Sequence, residues 1–212
     1  MNRVSLVLGG EDSSLPVYKK EIEKSDLIIA CDRGGEYLKN IDVIPDVVIG
    51  DMDSISGETL DYFERKDIKI VKFNKHKDFT DAYLAFEYIS KNLEAYIVDV
   101  YAFSGGREDH FITVLIDAEK FAGRNREIRF ISSGKTFFSI AEDTVIRGNV
   151  GDVISIFSFS GAYTAECKGL MYNVSNMEIH CGMTRGISNE LTEKEAYITI
   201  KKGKLTIFHY MN

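Results

Sequence analysis

Five short apolar runs punctuate the first half of the chain, and segments of helical character lie between them. The runs are Val4–Leu8, Leu27–Cys31, Val47–Ile49, Ile68–Phe73 and Tyr96–Ala102. The intervening segments are Val17–Glu23, Glu36–Lys39, Glu58–Arg65, Asp81–Leu93 and His110–Phe121. In Asp81–Leu93 the apolar residues Leu84, Ala85, Tyr88 and Ile89 recur at the spacing of one helix face. Strands that alternate with helices imply βαβ crossovers and a mainly parallel sheet. The first half is therefore predicted to be a Rossmann-like α/β domain.

The pattern changes after Gly123. Ile128–Ser132, Thr136–Ala141, Val153–Phe159, Ala196–Ile200 and Leu205–Tyr210 are short strand-like runs. Turn residues such as Gly148-Asn149 and Gly151-Asp152 separate them, and no helical period appears. This predicts an all-β sandwich or barrel. The expected domains are 1–124 and 125–212, with the boundary in Arg124–Arg126.

Bulk properties narrow the function. A chain of 212 residues with 44% hydrophobic residues and 2 prolines is globular in composition. A net charge of -7 argues against a nucleic-acid partner, which calls for a basic surface. It leaves room for a nucleotide substrate bridged to acidic side chains by Mg²⁺. Cys31, Cys167 and Cys181 form no CxxC and no even set, so neither a disulfide framework nor a zinc site is expected. The apolar run at Val4–Leu8 is too short for a signal peptide's core, and no later run has the length of a membrane span. A cytoplasmic protein without a membrane partner is expected.

The carboxylates fall where a parallel sheet places its ligands, after the carboxyl ends of strands. Cys31-Asp32-Arg33-Gly34-Gly35 is either a plain strand-to-helix turn or a nucleotide contact. Asp51 and Asp53 follow the third run and Gly50; in extended chain they would share a side, and their repulsion calls for a cation or a proton. Asp78, Thr80 and Asp81 stand at a helix start, where capping accounts for one of them, and Lys75 and Lys77 lie beside them. Gly105-Gly106-Arg107-Glu108-Asp109-His110 pairs a glycine turn with a guanidinium suited to phosphate. His110 alone is best read as structural. Four such clusters in one sheet describe an Mg²⁺–polyphosphate site.

In order and spacing these segments resemble the thiamine pyrophosphokinase family over nearly the whole chain. The family's D-x-G-(G/A), P-D-x-x-x-G-D-x-D-S, D-x-T-D, G-G-R-x-D-H and late S-N correspond to Asp32–Gly35, Pro45–Ser54, Asp78–Asp81, Gly105–His110 and Ser188-Asn189. Met52 and Glu108 depart from the commoner Phe and Leu. The resemblance implies transfer of diphosphate from ATP to the hydroxyl of thiamine, with AMP as leaving group. It implies Asp51, Asp53 and Asp81 as Mg²⁺ ligands, with Asp78 and Asp109 in support and Arg107 and Lys77 on phosphate. Asp32, Gly34, Gly35, Thr80, Gly105 and Gly106 would complete the ATP side. Ser188 and Asn189, which by themselves look like a hairpin turn, would serve the thiamine side. Tyr172 is read as a core residue or as packing near that side. The family further implies a C-terminal β-sandwich and a homodimer. Three alternatives remain at this stage: a pyrophosphokinase for another alcohol such as a hydroxymethylpterin, an aspartyl-phosphate hydrolase built on Asp51-x-Asp53, and a non-catalytic regulator that binds nucleotide or thiamine.

Overall fold

The apolar runs of the first half become strands, and all but the edge strand are largely buried. The structure is a computed structural model that describes residues 1–11, 14–74 and 78–212. It divides into two compact units, Met1–Asp117 and Ala118–Asn212.

In the first unit β1 (Asn2–Val7), β2 (Leu27–Cys31), β3 (Val47–Gly50), β4 (Lys69–Lys72) and β5 (Tyr96–Tyr101) pair in parallel, in the order β5-β1-β2-β3-β4. Val4, Leu6, Ile29, Val48, Ile49, Val98 and Val100 are all fully buried, which is why these strands read as continuous apolar runs. At the edge, β4 is half-exposed, and its Lys69 and Lys72 discourage pairing with another chain.

The helices are α1 (Lys19–Ile22), α2 (Gly34–Asn40), α3 (Gly57–Glu64), α4 (Asp81–Asn92) and α5 (Glu108–Phe121). The segment expected as one helix over Val17–Glu23 is instead entered through a 3₁₀ turn, Leu15–Tyr18, with Pro16 in its first turn. From β1 to β4 the chain winds in one direction, and β5 then returns to the far side of β1. The winding therefore reverses between β1 and β5, and such a reversal opens a crevice above the strands' carboxyl ends.

The second unit is antiparallel throughout. One sheet orders β12 (Asn189–Glu190), β9 (Val153–Phe157), β14 (Leu205–Tyr210), β7 (Lys135–Ile140) and β6 (Arg126–Ser132). The other orders β11 (Glu178–Ile179), β10 (Ala162–Lys168), β13 (Glu195–Gly203) and β8 (Thr144–Arg147). Ile154, Ile156 and Ile207 from the first sheet join Ile146, Ala196 and Ile198 from the second in one apolar cluster. Strand β10 escapes a reading based on alternation because Thr164 points inward, with its hydroxyl donating to the Val174 carbonyl. Irregular register on either side of Thr164 breaks the period as well.

Candidate active site

A cleft of about 600 Å³ lies over the carboxyl ends of the first unit's strands, and residues following each of the five strands line it.

Asp32 forms its floor. It directly follows β2 in a left-handed conformation, φ 42°, and is 7% exposed. Its N–H donates to the Ile49 carbonyl at 3.1 Å, and its Oδ1 accepts from the Met52 N–H at 3.0 Å. Burial, followed by the charge of Asp81, pushes its carboxyl up to about 7 against the pull of the Met52 N–H. A side-chain hydrogen bond joins it to Asp81.

Asp51 and Asp53 do converge, but by a different route from the extended one. Strand β3 stops at Gly50, Met52 turns left-handed at φ 67°, and the Asp53 N–H donates to Asp51 Oδ1 at 3.0 Å. The side chain of Asp51 thus closes its own turn. Carboxylate oxygens of Asp32, Asp51 and Asp53 all lie within 4.8 Å of one another. The set contains oxygen donors only and runs from buried through half-buried to exposed, which suits a hard divalent cation entering from solvent.

Asp81 begins α4, and Thr80 caps that helix by accepting the Tyr83 N–H at 3.1 Å; both line the cleft. Asp78 is exposed and outside the lining. Lys75 and Lys77 lie outside the described residues. Gly105 and Gly106, at φ 100° and 91°, line the cleft together with Arg107. Asp109 is not part of the lining; it grips Arg107 through a fork, Nε to Oδ1 at 3.0 Å and Nη2 to Oδ2 at 2.5 Å. Those bonds hold the Asp109 carboxyl down at about 2.

Gly34 and Gly35 are buried and take no part in the lining. Their place is in packing: a Cβ at position 34 would lie 2.1 Å from the Val7 carbonyl oxygen, so α2 starts hard against β1. Glu11 and Thr113 line the cleft without having been singled out for it, and so do Arg33, from the turn read as either plain or a nucleotide contact, and His110, read as structural. For Glu11 the available signal was its place directly after β1 and Gly9-Gly10.

In the second unit Asn189 is 1% exposed, and its amide is spent on backbone. Oδ1 accepts from the Tyr172 N–H at 2.9 Å, and Nδ2 donates to the Tyr172 carbonyl at 2.8 Å. Ser188 is left-handed, and its N–H donates to Ser155 Oγ at 3.0 Å. Tyr172 is 59% exposed, so it belongs to the surface and not to the core.

Residues 18–130 match the family model described as thiamin pyrophosphokinase, catalytic domain, and residues 143–205 match that of the vitamin B1 binding domain. The chain belongs to the thiamine pyrophosphokinase family. It is 27% identical to the thiamine pyrophosphokinase of Bacillus subtilis over 208 residues, 97% of each chain. The crystal structure of thiamine pyrophosphokinase from Bacillus subtilis superposes with a TM-score of 0.81, 26% identity and 99% of each chain covered. That of thiamin pyrophosphokinase from Candida albicans, at 16% identity, shares the fold with a TM-score of 0.75, covering all of this chain and 89% of its own. Asp32, Asp51, Asp53 and most of the cleft lining lie inside the catalytic-domain match, Leu8, Gly9, Gly10 and Glu11 precede it, and Tyr172, Ser188 and Asn189 lie inside the vitamin B1 binding-domain match.

Proposed function

We propose that this enzyme works on the acidic rim of its first unit, with Mg²⁺ held by Asp32, Asp51 and Asp53 and flanked by Asp81. The enzyme makes thiamine diphosphate from thiamine and ATP. The observation that carries the site is the crowding of three carboxylates within 4.8 Å, with a fourth hydrogen-bonded to the buried one. Like charges so close need a counter-charge, and oxygen-only donors favour a hard dication. Such an ion would supply charge neutralisation at the ATP phosphates and polarise the phosphorus under attack.

The chain's own groups do the positioning. Asp51 and Asp53 are presented by a closed turn, so little ordering remains when substrate arrives. Arg107 reaches the cleft with Asp109 on its guanidinium, and we assign it the phosphate of the transferred group, with Lys77 as a second cation. The hydroxyl of thiamine attacks the β-phosphorus, the bond to the α-phosphate oxygen breaks, and AMP leaves. Ser188 and Asn189 are assigned to the thiamine side, where Asn189 would act by holding Tyr172 in place. A Rossmann-like description suits the parallel sheet and its winding reversal. We further propose a homodimer, as the family resemblance implies, and a cytoplasmic setting that keeps Cys31, Cys167 and Cys181 as free thiols. No described helix is long and apolar enough to cross a membrane.

The test is incubation of the pure protein with Mg²⁺, ATP and thiamine. Thiamine diphosphate and AMP should form in equal amounts and stop on chelation. Asp51→Asn and Asp53→Asn should each cut turnover at least about a hundredfold with unchanged melting. Formation of ADP and thiamine monophosphate, or turnover indifferent to chelation, would overturn the reading.

A further inference from the structure

Glu11 is a carboxylate in the cleft that the metal site does not use. It lines the cavity and is exposed, yet it stands outside the group formed by Asp32, Asp51 and Asp53. No described side chain is paired with it. The residues leading into it are held against the end of β5 and the residue after it. The Leu8 N–H donates to the Tyr101 carbonyl at 3.0 Å, and the Gly10 N–H donates to the Ala102 carbonyl at 2.7 Å. Across from it, a Cβ at position 105 would lie 2.7 Å from the Cβ of Glu11, so the two loops interlock. The side chain thus stands at the corner where the winding of the sheet reverses between β1 and β5.

The position restricts what Glu11 can meet. The metal carboxylates follow β2, which is beside β1 in the sheet, and β3, which is one strand further. Adjacent strands are about 4.8 Å apart, so the loop after β1 is offset from those after β2 and β3 by about one and two strand spacings along the rim. That offset matches the reach from the phosphates of ATP to its sugar. An ionised carboxylate accepts hydrogen bonds and donates none, so it repels phosphate and favours a pair of hydroxyl donors. The ribose of a ribonucleotide presents two neighbouring hydroxyls of that kind.

Resting on the ATP-dependent reading above, we propose that Glu11 is a specificity-determining residue that accepts the 2′- and 3′-hydroxyls of the ribose and selects ribonucleotides over deoxyribonucleotides. The test compares ATP, 2′-deoxyATP, 3′-deoxyATP and purine riboside triphosphate as donors at saturating thiamine and Mg²⁺. The wild type should lose about ten- to hundredfold in kcat/KM when either hydroxyl is removed. It should keep most of its activity when the 6-amino group is removed. Glu11→Ala should use ATP and 2′-deoxyATP within about twofold of each other, with the loss in KM for ATP and not in kcat. Its KM for thiamine and its melting temperature should stay at the wild-type values. Glu11→Gln, which keeps one acceptor, should fall between. A wild type indifferent to the hydroxyls, or a Glu11→Ala variant that retains the full preference, would overturn the proposal. So would a preference that follows the 6-amino group. A wild type that forms no thiamine diphosphate from ATP would instead overturn the function on which the proposal rests, so the two failures are distinguishable.

Discussion

Gly50 leaves the space that the carboxylate of Asp32 fills: a Cβ at position 50 would lie 1.9 Å from Asp32 Oδ1 and 2.4 Å from its Cγ. The last residue of one strand therefore decides where the acid of its neighbour can point. Gly50→Ala should drive the Asp32 side chain off its place beside Asp51 and Asp81. Turnover should fall at least about a hundredfold, as for loss of a group that organises charge in the site. Gly57→Ala is the control, because a Cβ there meets nothing within 4 Å and the residue opens α3. It should leave turnover unchanged and stability equal or slightly higher. Steady-state rates and melting curves of both variants check this, and an active Gly50→Ala enzyme would refute the dependence.

Asn189 ties down Tyr172 with an acceptor and a donor at once. Asn189→Ala should lose both bonds and leave a buried pocket with unpaired backbone groups, at a cost of about 1–3 kcal/mol. If the exposed Tyr172 serves thiamine, the KM for thiamine should rise while the KM for ATP stays fixed. Asn189→Asp should behave as badly, since its second oxygen would face the Tyr172 carbonyl without a proton to donate. Thermal melting and the two KM values decide the matter, and an unchanged melting temperature would contradict the tie.

The alternation of apolar runs and helices was enough to give the parallel order's ingredients, because strands buried on both faces leave uninterrupted apolar stretches such as Leu27–Cys31. The β-rich character of the second half was equally legible, but not all its strands. Strand β10 hides behind an inward Thr164, and β12 is two residues long. In the site, the spacing of Asp51 and Asp53 pointed to a shared cation, although a turn and not an extended segment unites them. Asp32 was read for the nucleotide, and its place beside Asp51 was not visible, because that contact depends on β2 and β3 being neighbours and on the missing side chain of Gly50. Packing duties of Gly34 and Gly35 were hidden for the same reason: a close approach between distant segments leaves no local pattern.

Glu119 is a buried acid of the second unit, at 1% exposure. Its Oε1 accepts from the Phe159 N–H at 2.9 Å, the Ser160 N–H at 2.7 Å and the Ser160 hydroxyl at 2.7 Å. Its Oε2 accepts from the Thr206 hydroxyl at 2.9 Å. Removing the carboxylate would leave several buried donors without acceptors, each costing about 1–3 kcal/mol. Glu119→Ala should therefore destabilise the protein by about 3–5 kcal/mol, among the larger effects of a single substitution. Thr206→Val, which removes one donor and loses the bond to Ser139 Oγ, should cost only about 1–2 kcal/mol. Denaturant unfolding of the two variants checks the ranking, and equal costs would show that the loop is held by something other than Glu119.

The three thiols should differ in reactivity, and pH should separate them. Cys31 is 3% exposed, Cys167 half-buried and Cys181 exposed. Burial pushes the Cys167 thiol up to about 11. The thiolate is the form that attacks an alkylating reagent, so a raised pKa slows the reaction at every pH below it. At pH 8, three units below that value, only about one Cys167 in a thousand is ionised. Iodoacetamide at pH 8 should accordingly label Cys181 and leave Cys167 and Cys31 unmodified over the same interval. Raising the pH from 8 to 10 should speed Cys167 labelling by about tenfold per unit, because the ionised fraction grows by that factor until pH approaches 11. Mass spectrometry of peptides from the intact, folded protein gives the three rates. Labelling of Cys167 at pH 8 as fast as Cys181 would show that the thiol is neither buried nor held neutral in the folded chain.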